Sequence, residues 1–553
     1  MQLLDFITIA VFAAGVVIMG LSFSGKSRNM KSFFAAGGAV PWPMSGLSLF
    51  MGFFSAGTFV VWGSIAYTSG WVSVAIQWTM ALAGFAVGLF IAPRWHKTGA
   101  LTAAEYITHR LGTRTQKIYT YLFLFVSLFT TGAFLYPVAK IVEVSTGLPL
   151  NACILLLGCF CILYVTVGGL WAVMSTDVLQ FVILTAVLIV VPMSFARIEG
   201  VTEFIRSASD GFFQLTNEDY TLGFIIAFGI YNAIFLGGNW AYVQRYTSVA
   251  SRSSSRNVGL LFGGLYVVSA VLWMPPMIYR LIDPSLDSIG AEGAYLLMCR
   301  EVLPVGLLGL MLGGMVFATA SSLNATLNIS SGVVTNDIFR RLRPASSDKL
   351  LIRVARISTV LFGLMAIGVA LLIPKMGGIV NVVISVAALT GVPLYLPIIW
   401  SLFSRRQTGT SVITATLSSL GVNALFKFVM PSAGLTLNRA EEMILGVTFP
   451  AVILLSFECY YRLRKAEAAG YGEYEVWERK NETERQNETL TRSSDEDNAF
   501  SRKVIGIGIA STGALITLLG LIAPTGRLLV IGIGLLLILF GLKIRRHKAV
   551  NKK

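Results

Sequence analysis

The chain has 553 residues, of which 55% are hydrophobic and only 13% are charged. A soluble domain carries about 25% charged residues, so the composition excludes a soluble enzyme, a secreted disulfide-rich scaffold and a disordered chain. The net charge of +15 does not indicate a nucleic-acid partner, because the basic residues collect in alternate segments between apolar runs.

Apolar runs of 18 or more residues, each able to cross a hydrocarbon core ~30 Å thick as a helix, recur along the whole chain. They predict an all-α polytopic membrane protein in contact with the lipid bilayer. About fifteen transmembrane helices are expected, at 4–23, 45–67, 71–92, 117–139, 151–167, 173–196, 221–243, 257–279, 303–333, 357–374, 379–402, 409–427, 441–460, 504–522 and 528–542.

Most of the 43 Lys and Arg residues fall in loops that share one side of this predicted membrane. The positive-inside rule makes that side cytoplasmic, with the N-terminus outside and the C-terminus in the cytoplasm. We therefore expect a multi-pass protein of a bacterial inner (plasma) membrane.

Small residues interrupt the second and the seventh predicted spans near mid-depth. The interrupting residues are Gly52, Ser55, Ala56 and Gly57 in the second span and Gly237 and Gly238 in the seventh. A broken helix is tolerated only where it lines a cavity, and two such helices five spans apart suit an inverted five-plus-five repeat. Close packing of intact helices through small residues is the alternative.

The chain then divides into six parts. The segment 462–502 mixes both signs of charge without apolar periodicity, which predicts a mobile cytoplasmic linker. The parts are 1–44, an extra span and inner loop; 45–196, the first five-helix repeat; 197–402, the inverted second repeat with its outer loops; 403–461, two additional spans; 462–502, the linker; and 503–553, two C-terminal spans and a basic tail.

The ninth span is unusually polar for an apolar helix. Ser321, Asn324 and Asn328 share one helix face by their i, i+3, i+7 spacing. Hydroxyl and carbonyl oxygens at this density suit a hard monovalent cation. Hydrogen bonds that glue the helix to its neighbours are the alternative interpretation.

Four motifs together resemble the sodium/solute symporter family, which includes sodium-coupled glucose, proline, pantothenate and sialic acid carriers. The motifs are FFSAGTF…AYTSGW in the second span, GGLWAVMSTDVLQ entering the sixth, GGNWAYVQR ending the seventh, and SSLNATLN followed by TNDIF in the ninth. The resemblance covers roughly residues 1–460 and implies the LeuT-like inverted-repeat fold of that family.

The resemblance also implies a sodium site, with Na⁺ as the coupling ion and no organic cofactor. The matching positions are the carbonyls of Met51, Phe54 and Ala318 and the hydroxyls of Ser321 and Ser322. An acidic residue entering the sixth span of the family is matched by Asp177, which implies a role in coupling or gating. A favourable helix N-terminal charge is its alternative role.

The resemblance places solute contacts at Asn232, the Gln77–Trp78 pair and Thr58, and a gating ring at Phe235. The sugar-transporting branch has an acidic residue at Gln77, an amide at Thr58 and a tyrosine at Phe235. These losses argue against a simple glucose or galactose carrier, since hydrogen-bonding sites reject solutes that leave them unpaired. The substrate therefore stays open.

Lys140 and Glu143 stand one helical turn apart near the predicted outer surface. We expect an ion pair between a snorkelling lysine and its neighbour. Attraction of an anionic solute by Lys140 is the alternative.

The sequence thus predicts a sodium-coupled secondary symporter that imports a small polar organic solute by alternating access, with a sugar or sugar derivative favoured. An amino acid or a carboxylate such as sialic acid is the alternative solute, and a transporter-like membrane sensor is a more distant one. An enzyme is not expected, because Asp177 has no visible carboxylate or histidine partner. Proton coupling is the nearer competitor among transporters, but a site made of hydroxyl and carbonyl oxygens has no group that titrates near neutrality. No obligate protein partner is evident from the sequence.

Overall fold

The computed structural model describes residues 2–24, 40–53, 56–100, 102–165, 189–287, 290–491 and 494–546. These residues form helices joined by short connections, and the one β-contact among them is an isolated bridge between Val40 and Val249. The expected all-α architecture is therefore confirmed for the described part of the chain.

Twenty helices are numbered in chain order, and a further helical stretch covers 189–197. They are α1 (Leu3–Ser24), α2 (Trp42–Phe53), α3 (Ala56–Ser69), α4 (Val72–Lys97), α5 (Ala103–Leu111), α6 (Thr113–Thr146), α7 (Leu150–Val165), α8 (Val201–Ser207), α9 (Leu222–Gly238), α10 (Trp240–Thr247), α11 (Arg252–Ile282), α12 (Ala294–Val302), α13 (Leu307–Gly332), α14 (Asp348–Leu372), α15 (Ile379–Phe403), α16 (Gly409–Ala424), α17 (Arg439–Leu463), α18 (Tyr471–Thr491), α19 (Ser494–Ile522) and α20 (Arg527–Arg546).

Among the described residues, nine helices are long and apolar enough to cross a membrane, and two bent pairs raise the number to eleven. Three shorter apolar helices begin at Leu3, Leu150 and Leu307. The predicted count of about fifteen is not reached on these criteria, and most of the predicted span 173–196 lies outside the described residues. The remaining predicted spans each overlap an apolar helix.

Both predicted breaks occur. The directions of Trp42–Phe53 and Gly57–Ser69 differ by 57°, and those of α9 and α10 differ by 60°. At the second break Asn239 ends α9 and begins α10, because its side-chain oxygen accepts the Ala241 N–H at 3.0 Å. The freed carbonyls are also satisfied: the Trp95 indole donates to Gly237 at 2.7 Å, and the Tyr246 hydroxyl donates to Leu236 at 3.2 Å.

Helices α4 and α11 pack backbone against backbone through two pairs of glycines. A β-carbon on Gly84 would lie 2.7 Å from the Gly263 nitrogen, and one on Gly259 would lie 2.5 Å from the Gly88 Cα atom. On each helix the two glycines are spaced i, i+4, so each helix presents a stripe of small residues to the other. The two backbones can therefore approach closely.

The N-terminal end of α13 is fixed to α1 by a buried carboxylate. Asp5 is 2% exposed, and one of its oxygens accepts the N–H groups of Gly306 at 2.7 Å and Gly309 at 3.2 Å. These are groups that the start of a helix leaves without intrahelical partners. The extra N-terminal helix therefore caps the polar ninth span.

The segment expected to be a mobile linker is helical over Tyr471–Thr491 and again from Ser494, and α18 packs onto the predicted cytoplasmic side. Tyr474 is 5% exposed and meets Tyr106 of α5 edge-on at 5.8 Å. Trp477 stacks on His109 at 4.2 Å, and Glu478 pairs with Lys97 at 3.2 Å. The aromatic positions 471, 474 and 477 follow one another at three-residue intervals, a short apolar stripe that the abundant charges obscured.

The glycine stripes predict a position-specific effect on stability. In Gly259→Leu the new side chain must push α4 and α11 apart, so we expect loss of the monodisperse protein on fluorescence-detected size-exclusion chromatography in detergent. Gly264→Leu on the same helix is the matched control, because no atom lies within 4 Å of a β-carbon there. Equal behaviour of the two variants would contradict the packing.

The docking of α18 predicts a local change in protease sensitivity. In Tyr474→Ala the helix loses its buried ring, so trypsin should cleave after Arg479 and Lys480 at least five-fold faster, read by mass spectrometry. Glu475→Ala, which alters only an exposed ion pair with Arg479, should keep the original cleavage rate. Unchanged cleavage in Tyr474→Ala would show that the helix does not depend on this contact.

Candidate functional site

A cavity of about 180 Å³ lies beside both broken helices, where α2, α3, α4, α6, α9, α10, α11 and α15 converge. Its walls therefore come from both predicted repeats. The polar and aromatic side chains that line the cavity are Phe53, Thr58, Trp62, Gln77, Thr130, Phe134, Phe228, Tyr231, Asn232, Phe235, Tyr242, Tyr266, Thr390 and Tyr395.

Aromatic rings surround Phe235 within this cavity. The ring of Phe235 lies 5.4 Å from that of Tyr231, 5.6 Å from that of Tyr395 and 5.7 Å from that of Tyr242, and it meets Phe53 edge-on at 6.0 Å. Such rings offer apolar faces, and tyrosines add hydroxyl groups at their tips. The predicted gating ring thus sits at the centre of an aromatic cluster next to the second break.

Three of the four predicted solute contacts line the cavity, namely Thr58, Gln77 and Asn232. Asn232 is 1% exposed; its amide nitrogen donates to the Thr79 hydroxyl at 2.9 Å, while its amide oxygen has no hydrogen-bond partner among the described residues. An unpaired buried acceptor costs about 1–3 kcal/mol. A solute hydroxyl or N–H group in the cavity would satisfy it.

The structure does not bring the fourth predicted contact to the cavity. Trp78 is 42% exposed and absent from the lining. Consecutive residues on a helix point about 100° apart, so the inward direction of Gln77 turns Trp78 away from the bundle. Of the predicted pair, the structure therefore brings Gln77 to the cavity and places Trp78 outside its lining.

The cavity is electrically neutral. None of the described residues that line it carries a charged side chain. The predicted ion pair between Lys140 and Glu143 is confirmed at 2.8 Å, and neither residue is part of the lining.

The predicted sodium ligands are only partly described. Met51 is 2% exposed near the C-terminal end of α2, next to the break, whereas Phe54 and Asp177 lie outside the described residues. Ala318, Ser321 and Ser322 lie on α13, but their side chains also lie outside the described part. Helix α13 packs against both α2 and α3, so the structure brings together the elements that would carry the site.

A smaller cavity of about 70 Å³ adjoins the first and shares Gly52, Thr130 and Phe235 with it. Helix α13 contributes Thr326 and Ile329 to its wall. Arg245, which is 4% exposed and donates to the Ala241 carbonyl at 2.8 Å, brings a positive charge to this side.

Sequence reasoning missed the tyrosines of the cavity, Tyr231, Tyr242 and Tyr395. Their signal was present as hydroxyl-bearing rings within spans next to the two glycine-rich breaks. These tyrosines were not predicted as solute contacts, because an aromatic residue in an apolar span usually packs against other apolar side chains.

No other centre competes with these cavities in the described part of the chain. There, no group of three or more His, Cys, Asp or Glu side chains could hold a metal ion. Cys153, Cys159, Cys299 and Cys459 are free.

Two bacterial transporters are similar to this chain in sequence over most of its length. The chain is 25% identical over 500 residues to the sodium/glucose cotransporter of Vibrio parahaemolyticus, covering 82% of this chain and 90% of that protein. It is 25% identical over 444 residues to the sodium/sialic acid symporter SiaT of Proteus mirabilis, covering 76% and 90% of the two chains.

Solved structures confirm the LeuT-like fold. A substrate-bound, outward-open Na⁺-coupled sialic acid symporter matches with a TM-score of 0.70 at 19% identity, covering 83% of this chain and 98% of that one. Mhp1, a nucleobase-cation-symport-1 family transporter, matches with a TM-score of 0.50 at 14% identity, covering 79% and 96%. The model of the sodium:solute symporter family matches residues 33–240 and 242–417, and the chain therefore belongs to that family.

Proposed function

We propose that the protein is a sodium-coupled symporter that imports a small, uncharged polar solute through the 180 Å³ cavity. The observation that carries this proposal is the neutral, aromatic-walled cavity beside two broken helices. Solute sites of transporters built on inverted repeats lie at such breaks. The membership of the sodium:solute symporter family supports sodium as the coupling ion.

The sodium ion would bind between α2 and α13. Its ligands would be the carbonyls of Met51, Phe54 and Ala318 and the hydroxyls of Ser321 and Ser322. Contact between α13 and both halves of the broken second span supports this assignment, because an ion at that junction would bridge the break to an unbroken helix. Asp177 would serve coupling or gating near the same region.

A sugar or sugar derivative is the favoured solute. A pyranose ring has apolar C–H faces that pack on aromatic rings and hydroxyl groups that satisfy polar tips. The amide oxygen of Asn232, which has no partner among the described residues, would form hydrogen bonds with the sugar hydroxyl groups together with Gln77 and Thr58. The ring of Phe235 would cover the pyranose ring. The relative from Vibrio parahaemolyticus is a sodium/glucose cotransporter.

A carboxylate such as sialic acid is the second candidate solute. Its favouring observation is Arg245 in the adjoining 70 Å³ cavity, where a guanidinium can bind a carboxylate. The relative from Proteus mirabilis is a sodium/sialic acid symporter. A neutral solute is preferred because the larger cavity offers no described charge.

Transport would follow from linkage between the two ligands. Sodium that raises the affinity for solute must have its own affinity raised by the same factor. With the N-terminus outside and the C-terminus in the cytoplasm, the inward sodium gradient would drive uptake, with each transferred charge adding ~2.3 kcal/mol per 100 mV of membrane potential.

The sodium assignment predicts a loss of sodium dependence in Ser322→Ala. One ligand oxygen disappears, so the sodium concentration for half-maximal stimulation of uptake in proteoliposomes should rise at least ten-fold. Ser456→Ala is the control, because Ser456 donates to its own helix from an exposed position on α17. An unchanged half-saturation in Ser322→Ala would remove this serine from the site.

The cavity assignment predicts different effects at two neighbouring positions. Gln77→Ala removes a polar group from the cavity, so the KM for the transported solute should rise about 5- to 30-fold, as expected for 1–2 kcal/mol of lost hydrogen bonding. Trp78→Ala changes only an outward-facing ring and should leave KM within two-fold. The reverse order of effects would place the solute elsewhere.

The solute for these assays comes from thermal stability of the purified protein in detergent, measured in sodium and in potassium across sugars, sialic acids, amino acids and carboxylates. We expect a neutral sugar to stabilise only in sodium. Stabilisation by sialic acid alone would favour the second candidate, and identical melting in both ions with every solute would contradict sodium coupling.

A further inference from the structure

Glu292 is a buried carboxylate that the proposed transport cycle has not used. It lies in the short turn Gly290–Gly293 between α11 and α12, on the predicted outer side, and is only 3% exposed. A buried carboxylate is costly unless hydrogen bonds or charges compensate it. Its partners therefore indicate what the residue holds in place.

Two hydrogen bonds join Glu292 to different walls of the cavity. One carboxylate oxygen accepts the backbone N–H of Ile379, the first residue of α15, at 2.9 Å. The other accepts the hydroxyl group of Tyr136 on α6 at 3.1 Å. Ile379 itself and Pro137, the residue after Tyr136, both line the 180 Å³ cavity. The carboxylate thus ties two wall helices together at one end.

The two residues just before α15 are glycines, whose backbone conformation allows this contact and allows the chain to bend. Gly377 and Gly378 adopt φ values of +85° and +89°, a conformation that residues with a β-carbon rarely adopt. A β-carbon on Gly378 would also lie 2.6 Å from the Glu292 carboxylate. The two glycines therefore let the carboxylate approach, and they form a pliable joint between α14 and α15.

Helix α15 is a continuous wall of the cavity from its first residue. Ile379, Val383, Ala387, Thr390 and Tyr395 line the cavity along its length. A shift at the outer end of α15 would thus change the shape of the cavity itself. The Arg439 guanidinium donates to the Asn381 side-chain oxygen at 2.7 Å, which is a second tie two residues further along.

The charges around Glu292 are balanced. The nearby pair of Lys140 and Glu143 on α6 contributes one charge of each sign. Burial and the Glu143 carboxylate raise the pKa of Glu292, and the Ile379 N–H, the Tyr136 hydroxyl and the Lys140 ammonium offset only part of that rise.

We propose that Glu292 is a positioning residue that latches the outer end of α15 to α6 and thereby sets the affinity of the cavity for its solute. The proposal rests on the proposed function only in taking the 180 Å³ cavity as the solute site. When the latch is closed, α15 is held in place at Ile379; when it is open, the Gly377–Gly378 joint lets the helix end move away from α6.

The test compares Glu292→Ala, Glu292→Gln and Tyr136→Phe with the original protein. The first readout is hydrogen–deuterium exchange of the peptide covering 377–386, which needs no transported solute. We expect at least five-fold faster exchange in Glu292→Ala and an intermediate rate in Tyr136→Phe. Glu292→Gln should stay close to the original, since its amide oxygen can still accept the Ile379 N–H.

The second readout is uptake at saturating sodium. In Glu292→Ala the KM for solute should rise at least five-fold while Vmax changes less than two-fold, and Glu292→Gln should restore most of the affinity. Glu301→Ala is the matched control, because Glu301 is an exposed glutamate of the neighbouring helix with a 3.8 Å ion pair to Arg197; both readouts should stay unchanged there.

Exchange that is unchanged in Glu292→Ala would overturn the latch, and so would a fall in Vmax without a change in KM. If Glu292→Ala does not fold, Tyr136→Phe carries the test, because it removes one hydrogen bond and leaves the buried charge in place. Faster exchange in a protein whose original form shows no sodium-dependent uptake would support the latch and contradict the proposed function instead.

Discussion

A helix that breaks inside an apolar bundle exposes backbone N–H and C=O groups with no water to satisfy them, and the rest of this structure depends on how they are satisfied. At the second break Asn239 starts the new helix with its own side chain, and Trp95 and Tyr246 bond the freed carbonyls. Both aromatic residues are fully buried. The break is therefore a fixed corner, which can hold the tyrosine hydroxyls and the Asn232 amide in constant positions beside the cavity.

The architecture was readable from the sequence where one physical rule dominates. Apolar length predicted most spans, and small residues at mid-depth predicted both bends, because helix length and backbone exposure in a bilayer leave few alternatives. The stripe of Tyr471, Tyr474 and Trp477 was not predicted, since composition over forty residues averages out one buried and two partly buried rings.

The candidate site was predictable in part. Family motifs led to Thr58, Gln77 and Asn232, which the fold gathers from three different helices around one cavity. Motif matching also gave Trp78, because a motif specifies neighbours in sequence and not the helix face that each occupies. Glu292 lay beyond any motif: its importance arises from contacts with Tyr136 and Ile379, which are 156 and 87 residues away in the chain.

The facing glycines of α4 and α11 have a mechanical consequence. Helices slide past one another when layers of side chains can change rotamers between them, and no such layer exists where Gly84 meets Gly263 and Gly88 meets Gly259. Gln77 on one helix and Tyr266 on the other are therefore expected to keep a constant separation. Any change in the shape of the cavity would then have to come from its other walls, which α6 and α15 supply.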